Sequence, residues 1–468
     1  MKASKTVKSG YVIFLSVVAA VGGLLFGYDA AVISGTIDQV SSQFHLDAIR
    51  QGWYVGCALI GSIAGVAFAG VLSDKLGRRP AMLVSAVLFT VSAFGCAISG
   101  DFTQLVVYRI IGGAGIGVVS IVAPMYISEI AVAEYRGRLV SLYQLAVTVG
   151  FLMAYFFNYL LLAFSTQLTF SPAWLRLVFN DEVWRGMLGM ETFPALVFFI
   201  ILFLIPESPR WLVVRGREQK AGGILSRVYI DKGEAVRQVE ETRLTVRDVR
   251  KSEWRSLFSP GIFKAVVIGV AIAILGQFMG VNAVLYYGPT IFKDAGMADP
   301  LLSQVLVGVV NMLTTVLALL IIDKVGRHKL IYFGVSGMIL SLVLIAVYFM
   351  FPGQVSTSFM LAFFLFYVFC CAISISAVVW VLLSEMYPNR VRGLAMSVAG
   401  FALWVGTYLI GQLTPWMLDR LSPAGTFLLF AAMCVPYMLI MWKLVPETAG
   451  MSLEEIERYW TKNSRKDA

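Results

Sequence analysis

The sequence predicts an all-α membrane protein of twelve transmembrane helices in two six-helix halves, with short cytoplasmic helices between the halves. Three observations predict it. Of 468 residues, 59% are apolar and 14% charged, with a mean hydropathy of +0.80. A soluble chain carries about 25% charged residues, so most of this surface must face lipid. Twelve apolar runs, each of about 20 residues or more, can cross the hydrocarbon core as helices. Short motifs at the ends of runs in the first half recur in the second.

In order, the runs are 11–35, 52–72, 81–99, 103–130, 139–164 and 186–205, then 262–292, 302–322, 330–351, 358–386, 394–418 and 425–445. The opening MKASKTVKSG leads into the first run without a small-residue cleavage site, so that run is expected to stay as a span. Residues 206–260 form the one long polar stretch, rich in Arg, Lys and helix formers, and are expected to make short amphipathic helices. The expected organisation is a six-helix bundle over 1–205, a linker over 206–260, a second bundle over 261–446 and a tail over 447–468. The loops at 73–80, 134–138, 323–329 and 389–392 are basic, as are the linker and the tail. Those near 99–101, 351–356 and 418–423 hold few Lys or Arg. The positive-inside rule then places both termini and the linker in the cytoplasm.

The net charge of +9 is therefore orientation charge in short loops and not a nucleic-acid face. The five cysteines (Cys57, Cys96, Cys370, Cys371, Cys434) all lie in apolar segments without a CxxC pair and read as buried free thiols. His45 and His328 are too few and too far apart for a metal site, and no cofactor is implied. An intramembrane enzyme is poorly supported: there is no His or Cys cluster, no phosphate loop and no Ser–His pairing.

The stretch GQFMGVNAVLYYGP at 276–289 stands out inside the seventh run. Gln277 and Asn282 supply carboxamides, Tyr286 and Tyr287 supply phenols, and Gly276, Gly280 and Gly288 loosen the helix. Polar amides at membrane depth face a bundle interior or a wet cavity, which suits a solute site near the midplane. The alternative is helix–helix glue, with glycines for close approach and amides bonded across helices.

The halves echo each other. SDKLGRRP at 73–80 recurs as IDKVGRHK at 322–329, SEIAVAEYRGR at 128–138 as SEMYPNRVRGL at 384–394, and PESPRW at 206–211 as PETAG at 446–450. Two like halves of six spans related by an axis along the membrane normal suit alternating access around a central cavity.

With these motifs in view the chain resembles the sugar porter family of the major facilitator superfamily, from about residue 21 to 460. The resemblance rests on GGLLFGYDAAVISG at 22–35, DKLGRR at 74–79, YRIIGGAGIG at 108–117, PMYISEIA at 124–131, PESPRW at 206–211, QFMGVNAVLYY at 277–287, WVLLSEMYPN at 380–389 and PET at 446–448. Each motif is weak alone, but the ordered set is very specific. It implies the major facilitator fold in a bacterial inner membrane. It also implies import of a monosaccharide or polyol with protons, by a chain that works as a monomer in the lipid bilayer.

Asp29 is a carboxylate within the first run, costly unless paired or protonated. Arg109, the only charge between Asp101 and Glu129, is its natural partner, and Glu191 in the sixth run is a third intramembrane charge. The resemblance implies proton coupling through Asp29 and Arg109, with Glu191 joining them, whereas relatives that only facilitate diffusion carry a neutral amide where Asp29 stands. A static structural ion pair is the alternative. Asp74, Arg78, Arg79, Glu129 and Arg136 in one half match Asp323, Arg327, Glu385 and Arg392 in the other, and are expected to form a cytoplasmic gate that breaks in each cycle. They also determine topology.

The positions that the family's sugar site implies are Phe26, Gln144, Gln277, Asn282, Asn311, Trp380 and Trp404, with Tyr286 added from the seventh run. Carboxamides both donate to and accept from sugar hydroxyls, and Trp380 can stack a ring face. Three other glutamines of a proton-coupled relative's site stand here as Phe151, Gly276 and Leu403, and Ser376-Ala377 replaces a Gly-Pro. Losing three amides reshapes selectivity, so the expectation is a sugar or polyol, with another hexose, a deoxy sugar or a cyclitol fitting a less polar cavity. Two other readings are an uncoupled facilitator and a non-transporting sugar sensor. A sensor would carry a long extra cytoplasmic domain, whereas this tail is short.

Overall fold

The computed structural model describes residues 8–132, 135–248, 257–387, 391–447 and 460. The side chains of 232, 245–248, 260 and 323 are outside the description. Among the described residues, twelve helices are long and apolar enough to cross a membrane: Ser9–Gln43, Ala48–Leu76, Arg78–Ile98, Phe102–Ile130, Arg136–Gln167, Val183–Leu204, Gly261–Asp294, Pro300–Ile322, Arg327–Met350, Thr357–Met386, Arg392–Arg420 and Ser422–Lys443. They are called the first to twelfth spans. A helix satisfies its own backbone, which hydrocarbon cannot do for it. Large apolar side chains such as Phe68, Phe193, Leu320 and Trp442 are well over half exposed, as suits surfaces that meet lipid tails.

Local chemistry sets several ends. Asp101 accepts from the Gln104 N–H at 2.9 Å and caps the fourth span, and Asp299 accepts from the Leu302 N–H at 3.0 Å to cap the eighth. The third and ninth spans each begin one residue after a glycine of positive φ, Gly77 and Gly326.

Among the described residues, three spans are broken along their length. The sixth stops at Gly189 and resumes at Thr192, leaving Glu191 at the break. The seventh stops at Phe278 and resumes at Val281. Gly280 turns that break with φ +89°, and a Cβ there would stand 2.3 Å from the Phe430 ring, so only glycine fits. The carbonyl of Met279 receives the Tyr367 hydroxyl at 2.7 Å, so the break leaves it satisfied. The tenth is interrupted at Ser374, whose hydroxyl donates to the Cys370 carbonyl at 2.6 Å.

The chain divides into two compact units. One comprises Met1–Val32 with Ile60–Lys251, the other Ile33–Leu59 with Ser252–Ala468. In the first, the third span packs along the fourth; in the second, the ninth lies against the tenth and twelfth, and the seventh against the eleventh. Three short helices follow the sixth span, Pro209–Val214, Glu218–Val228 and Lys232–Asp248. Trp211, Leu212, Val213 and Ala221 give them a small apolar core of their own. All five cysteines are buried.

Candidate functional site

Within the first unit, Asp29, Arg109 and Glu191 are at most 3% exposed. Arg109 Nη1 forms an ion pair with Asp29 Oδ1 and also donates to the Asp29 backbone carbonyl at 3.4 Å. Asp29 Oδ2 has no hydrogen-bond partner among the described residues, and neither has Glu191 Oε1. Glu191 stands in the same unit, at the break of the sixth span. One Asp29 oxygen is thus committed to the guanidinium while the other keeps its lone pairs unused. Such an acid can take a proton before its ion pair breaks. A buried pair of this kind is poor evidence of stabilisation, because desolvation offsets much of the attraction. Phe26 and Gln144, on the first and fifth spans of the same unit, are half-buried.

The second unit holds the amides. Gln277 ends the first half of the seventh span and Asn282 opens the second, one on each side of the Gly280 turn. Asn282 Nδ2 donates to Gln277 Oε1 at 2.7 Å, and Thr407 Oγ1 lies 3.1 Å from the same oxygen. Gln277 Nε2 donates to no described residue, so its two N–H groups are left for another acceptor. Tyr286 is buried one turn beyond Asn282, and Tyr287 donates to the Gly411 carbonyl at 2.6 Å. Trp404 is buried one turn before Thr407, whereas Trp380 is 40% exposed. Asn311 is half-buried, and its side chain makes no hydrogen bond to the amide pair among the described residues. At the three altered positions, Phe151 is buried against Tyr155, Leu403 is half-buried, and Gly276 lies under Ile375 and Tyr437. A Cβ added at Gly276 would meet those two side chains at 3.6 and 3.8 Å, so neighbours already close over it.

The repeated motifs build one clamp per unit. In the first, Arg78 donates to Glu129 through Nε and Nη2, both at 3.0 Å, and through Nη1 to the Ser73 carbonyl at 3.1 Å and to Asp74 at 3.2 Å. In the second, Arg327 donates to Glu385 at 3.1 and 2.8 Å and to the Ile322 carbonyl at 3.3 Å. Arg79 instead donates to the Leu202 carbonyl at 2.9 Å, with its guanidinium over the Phe203 ring. Arg136 is exposed, with no ion pair among the described residues, and Arg392 lies 3.4 Å from the Tyr387 carbonyl. The Asp323 side chain lies outside the described residues.

Each clamp includes an acid not expected from the sequence. Glu207 accepts from the N–H groups of Arg78 at 2.9 Å, Arg79 at 3.3 Å and Ser208 at 2.7 Å. Glu447 accepts from the N–H groups of Arg327 at 3.2 Å and His328 at 2.9 Å. Each carboxylate thus sits on the unsatisfied first turn of the third or ninth span, where the helix dipole also favours a negative charge. The signal was present in the PES and PET echo, where the Glu of each copy holds the same place. Burial pushes the Glu207 carboxyl above its usual range, against the pull of those three N–H groups and of Arg78.

The family described as "Sugar (and other) transporter" matches residues 15–460. The D-xylose-proton symporter of Escherichia coli K12 is 38% identical over 495 residues, which cover 98% of this chain and 97% of that one. The arabinose-proton symporter of Bacillus subtilis is 38% identical over 457 residues, with 97% and 96% covered. Among solved structures, the inward open conformation of the E. coli xylose transporter XylE superposes with a TM-score of 0.82 at 36% identity, covering 96% of this chain and all of that one. With the family profile and these relatives spanning nearly the whole chain, this protein belongs to the Sugar (and other) transporter family, the sugar porters of the major facilitator superfamily.

Proposed function

We propose that this chain imports a monosaccharide or polyol together with protons, by alternating access, in a bacterial inner membrane. The observation that carries it is the Asp29–Arg109 pair, buried inside the first unit with Glu191 at a helix break beside it. Relatives at 38% identity bear the names xylose-proton and arabinose-proton symporter, which supports the same reading. Asp29 takes a proton on its uncommitted oxygen, which weakens its hold on Arg109. Glu191 is then the nearest acid able to receive the released guanidinium charge. Gln277 and Asn282 offer a donor and an acceptor pair to sugar hydroxyls, with Tyr286, Asn311, Trp380 and Trp404 from the same unit. Basic loops put both termini and the short helices after the sixth span in the cytoplasm. The Arg78–Glu129 and Arg327–Glu385 clamps are on that side, where they act as a gate.

The test is uptake into vesicles with and without an imposed proton gradient, comparing wild type with Asp29→Asn. A symporter loses uphill accumulation yet keeps sugar exchange across the membrane. Unchanged accumulation in the variant, or wild-type accumulation indifferent to the gradient, would leave an uncoupled facilitator. A panel of pentoses, hexoses and inositols in a transport-deficient strain then names the solute.

A further inference from the structure

The second half of the seventh span, Val281–Asp294, carries a proline inside it at Pro289. Proline has no N–H, so the helical donor that would reach the carbonyl four residues earlier, Leu285, is missing. At membrane depth water does not replace it. The eighth span does: Gln304 Nε2 donates to the Leu285 carbonyl at 3.2 Å and lies 3.5 Å from that of Val284. Gln304 is 1% exposed. Its Oε1 has no hydrogen-bond partner among the described residues and rests on Gly288, where an added Cβ would stand 1.9 Å away. Only a residue without a side chain at 288 lets the amide lie against the helix.

Beyond the proline the helix is held by something else. Thr290 Oγ1 donates to Asp38 Oδ1 at 3.1 Å, and Lys293 Nζ to Asp38 Oδ2 at 2.8 Å. Pro289 therefore separates a segment fastened to the eighth span from a segment fastened to the end of the first. The fastened inner segment is the one that bears Asn282 and Tyr286.

We propose that Gln304 is a positioning residue for solute binding: its amide substitutes for the N–H that Pro289 lacks and so fixes the segment that carries Asn282 and Tyr286. This rests on reading those two side chains as solute contacts. A leucine at 304 fills nearly the same volume but donates nothing. Without that bond the tilt of the segment is no longer fixed, and Asn282 moves off Gln277.

The proposal is tested by counterflow in vesicles with D-xylose, L-arabinose and D-glucose, using wild type, Gln304→Leu, Pro289→Ala and the double variant. Gln304→Leu is expected to raise the half-saturating sugar concentration about tenfold, with the maximal rate per inserted protein within about twofold. Pro289→Ala restores a backbone N–H at 289, so adding Gln304→Leu to it should change half-saturation by less than about threefold. Gly288→Ala, which displaces the amide sterically, should weaken binding as Gln304→Leu does, and it reads the proposal if that variant fails to insert. An equal loss with and without the proline, or a lower melting temperature with half-saturation unchanged, overturns the positioning role. If wild type moves none of these three nor any other pentose, hexose or inositol of the wider panel, the solute reading fails and takes this proposal with it. Wild-type uptake with unaltered affinity in both Gln304→Leu and Gly288→Ala sinks this proposal alone.

Discussion

In the first unit Asp29, Arg109 and Glu191 lie buried within the spans, whereas among the described residues of the second unit the buried charge is Arg327, at a helix end. In place of ions the second unit's spans hold Gln277, Asn282 and Thr407 on a shared hydrogen-bonded oxygen. At the motif-bearing ends the difference nearly vanishes, because Arg78–Glu129 with Glu207 and Arg327–Glu385 with Glu447 repeat one geometry. Each bundle needs such a clamp to join its own helix ends, so both copies keep it. The interior carries no such shared demand. On the proposed reading, a proton changes a charge balance inside the first unit, and hydroxyls exchange hydrogen bonds inside the second.

The largest effect should come from splitting the ion pair. Arg109→Leu leaves Asp29 buried without its counter-ion, a change that costs about 3–5 kcal/mol when the acid stays ionised. Proton-driven accumulation should disappear and the unfolding midpoint should drop, most steeply at high pH where the acid cannot escape by protonating. A stable, fully coupled Arg109→Leu protein would erase the division of labour between the units. Next come the clamps. Arg78→Ala should destabilise by about 3 kcal/mol, since it strands Glu129, whose side chain is 5% exposed and also holds the Ser208 hydroxyl at 2.5 Å. Glu385 is 25% exposed and can be hydrated, so Arg327→Ala should cost about 1–2 kcal/mol. Thermal unfolding of the two variants side by side gives the order. The reverse order would mean that exposure does not govern how much each clamp contributes.

The spans were legible because run length reports hydrocarbon thickness directly, so twelve runs became twelve helices. Asp29, Arg109 and Glu191 were legible for a related reason, as each is a charge where composition forbids one. The run at 262–292 looked continuous, and its division at Gly280 was not decidable from residue types, since glycine permits a positive φ without requiring it. Thr407 and Gln304 carried no signal either. A threonine or glutamine in an apolar run is unremarkable until its partner, more than a hundred positions away for Thr407, is brought within 3.1 Å. Glu447 was hidden for the opposite reason: a charge outside a span looks solvated, and only the fold shows it seated on the first turn of the ninth span.

A smaller effect tests the amide side. Gln277→Leu removes the oxygen that Asn282 and Thr407 share, and should weaken sugar binding about tenfold, roughly 1–2 kcal/mol, with the proton dependence of uptake retained. Loss of coupling together with affinity would show that the two interiors are not separable.

The smallest expected effect is a pH response of one clamp. Burial raises the Glu207 carboxyl above its ordinary value of 4.5, outweighing the N–H groups of Ser208, Arg79 and Arg78 and the charge of Arg78. The folded state therefore holds this proton more tightly than the unfolded chain does. The stabilisation that follows is complete below the ordinary value and is lost as pH rises through the raised one. The unfolding midpoint should fall slightly as pH rises through that interval, and Glu207→Gln, which cannot titrate, should flatten the fall. Glu447→Gln is the matching substitution in the other unit. If it flattens the curve equally, the two clamps share their electrostatics as well as their geometry. If only Glu207→Gln does, the contrast between the two units extends to their edges.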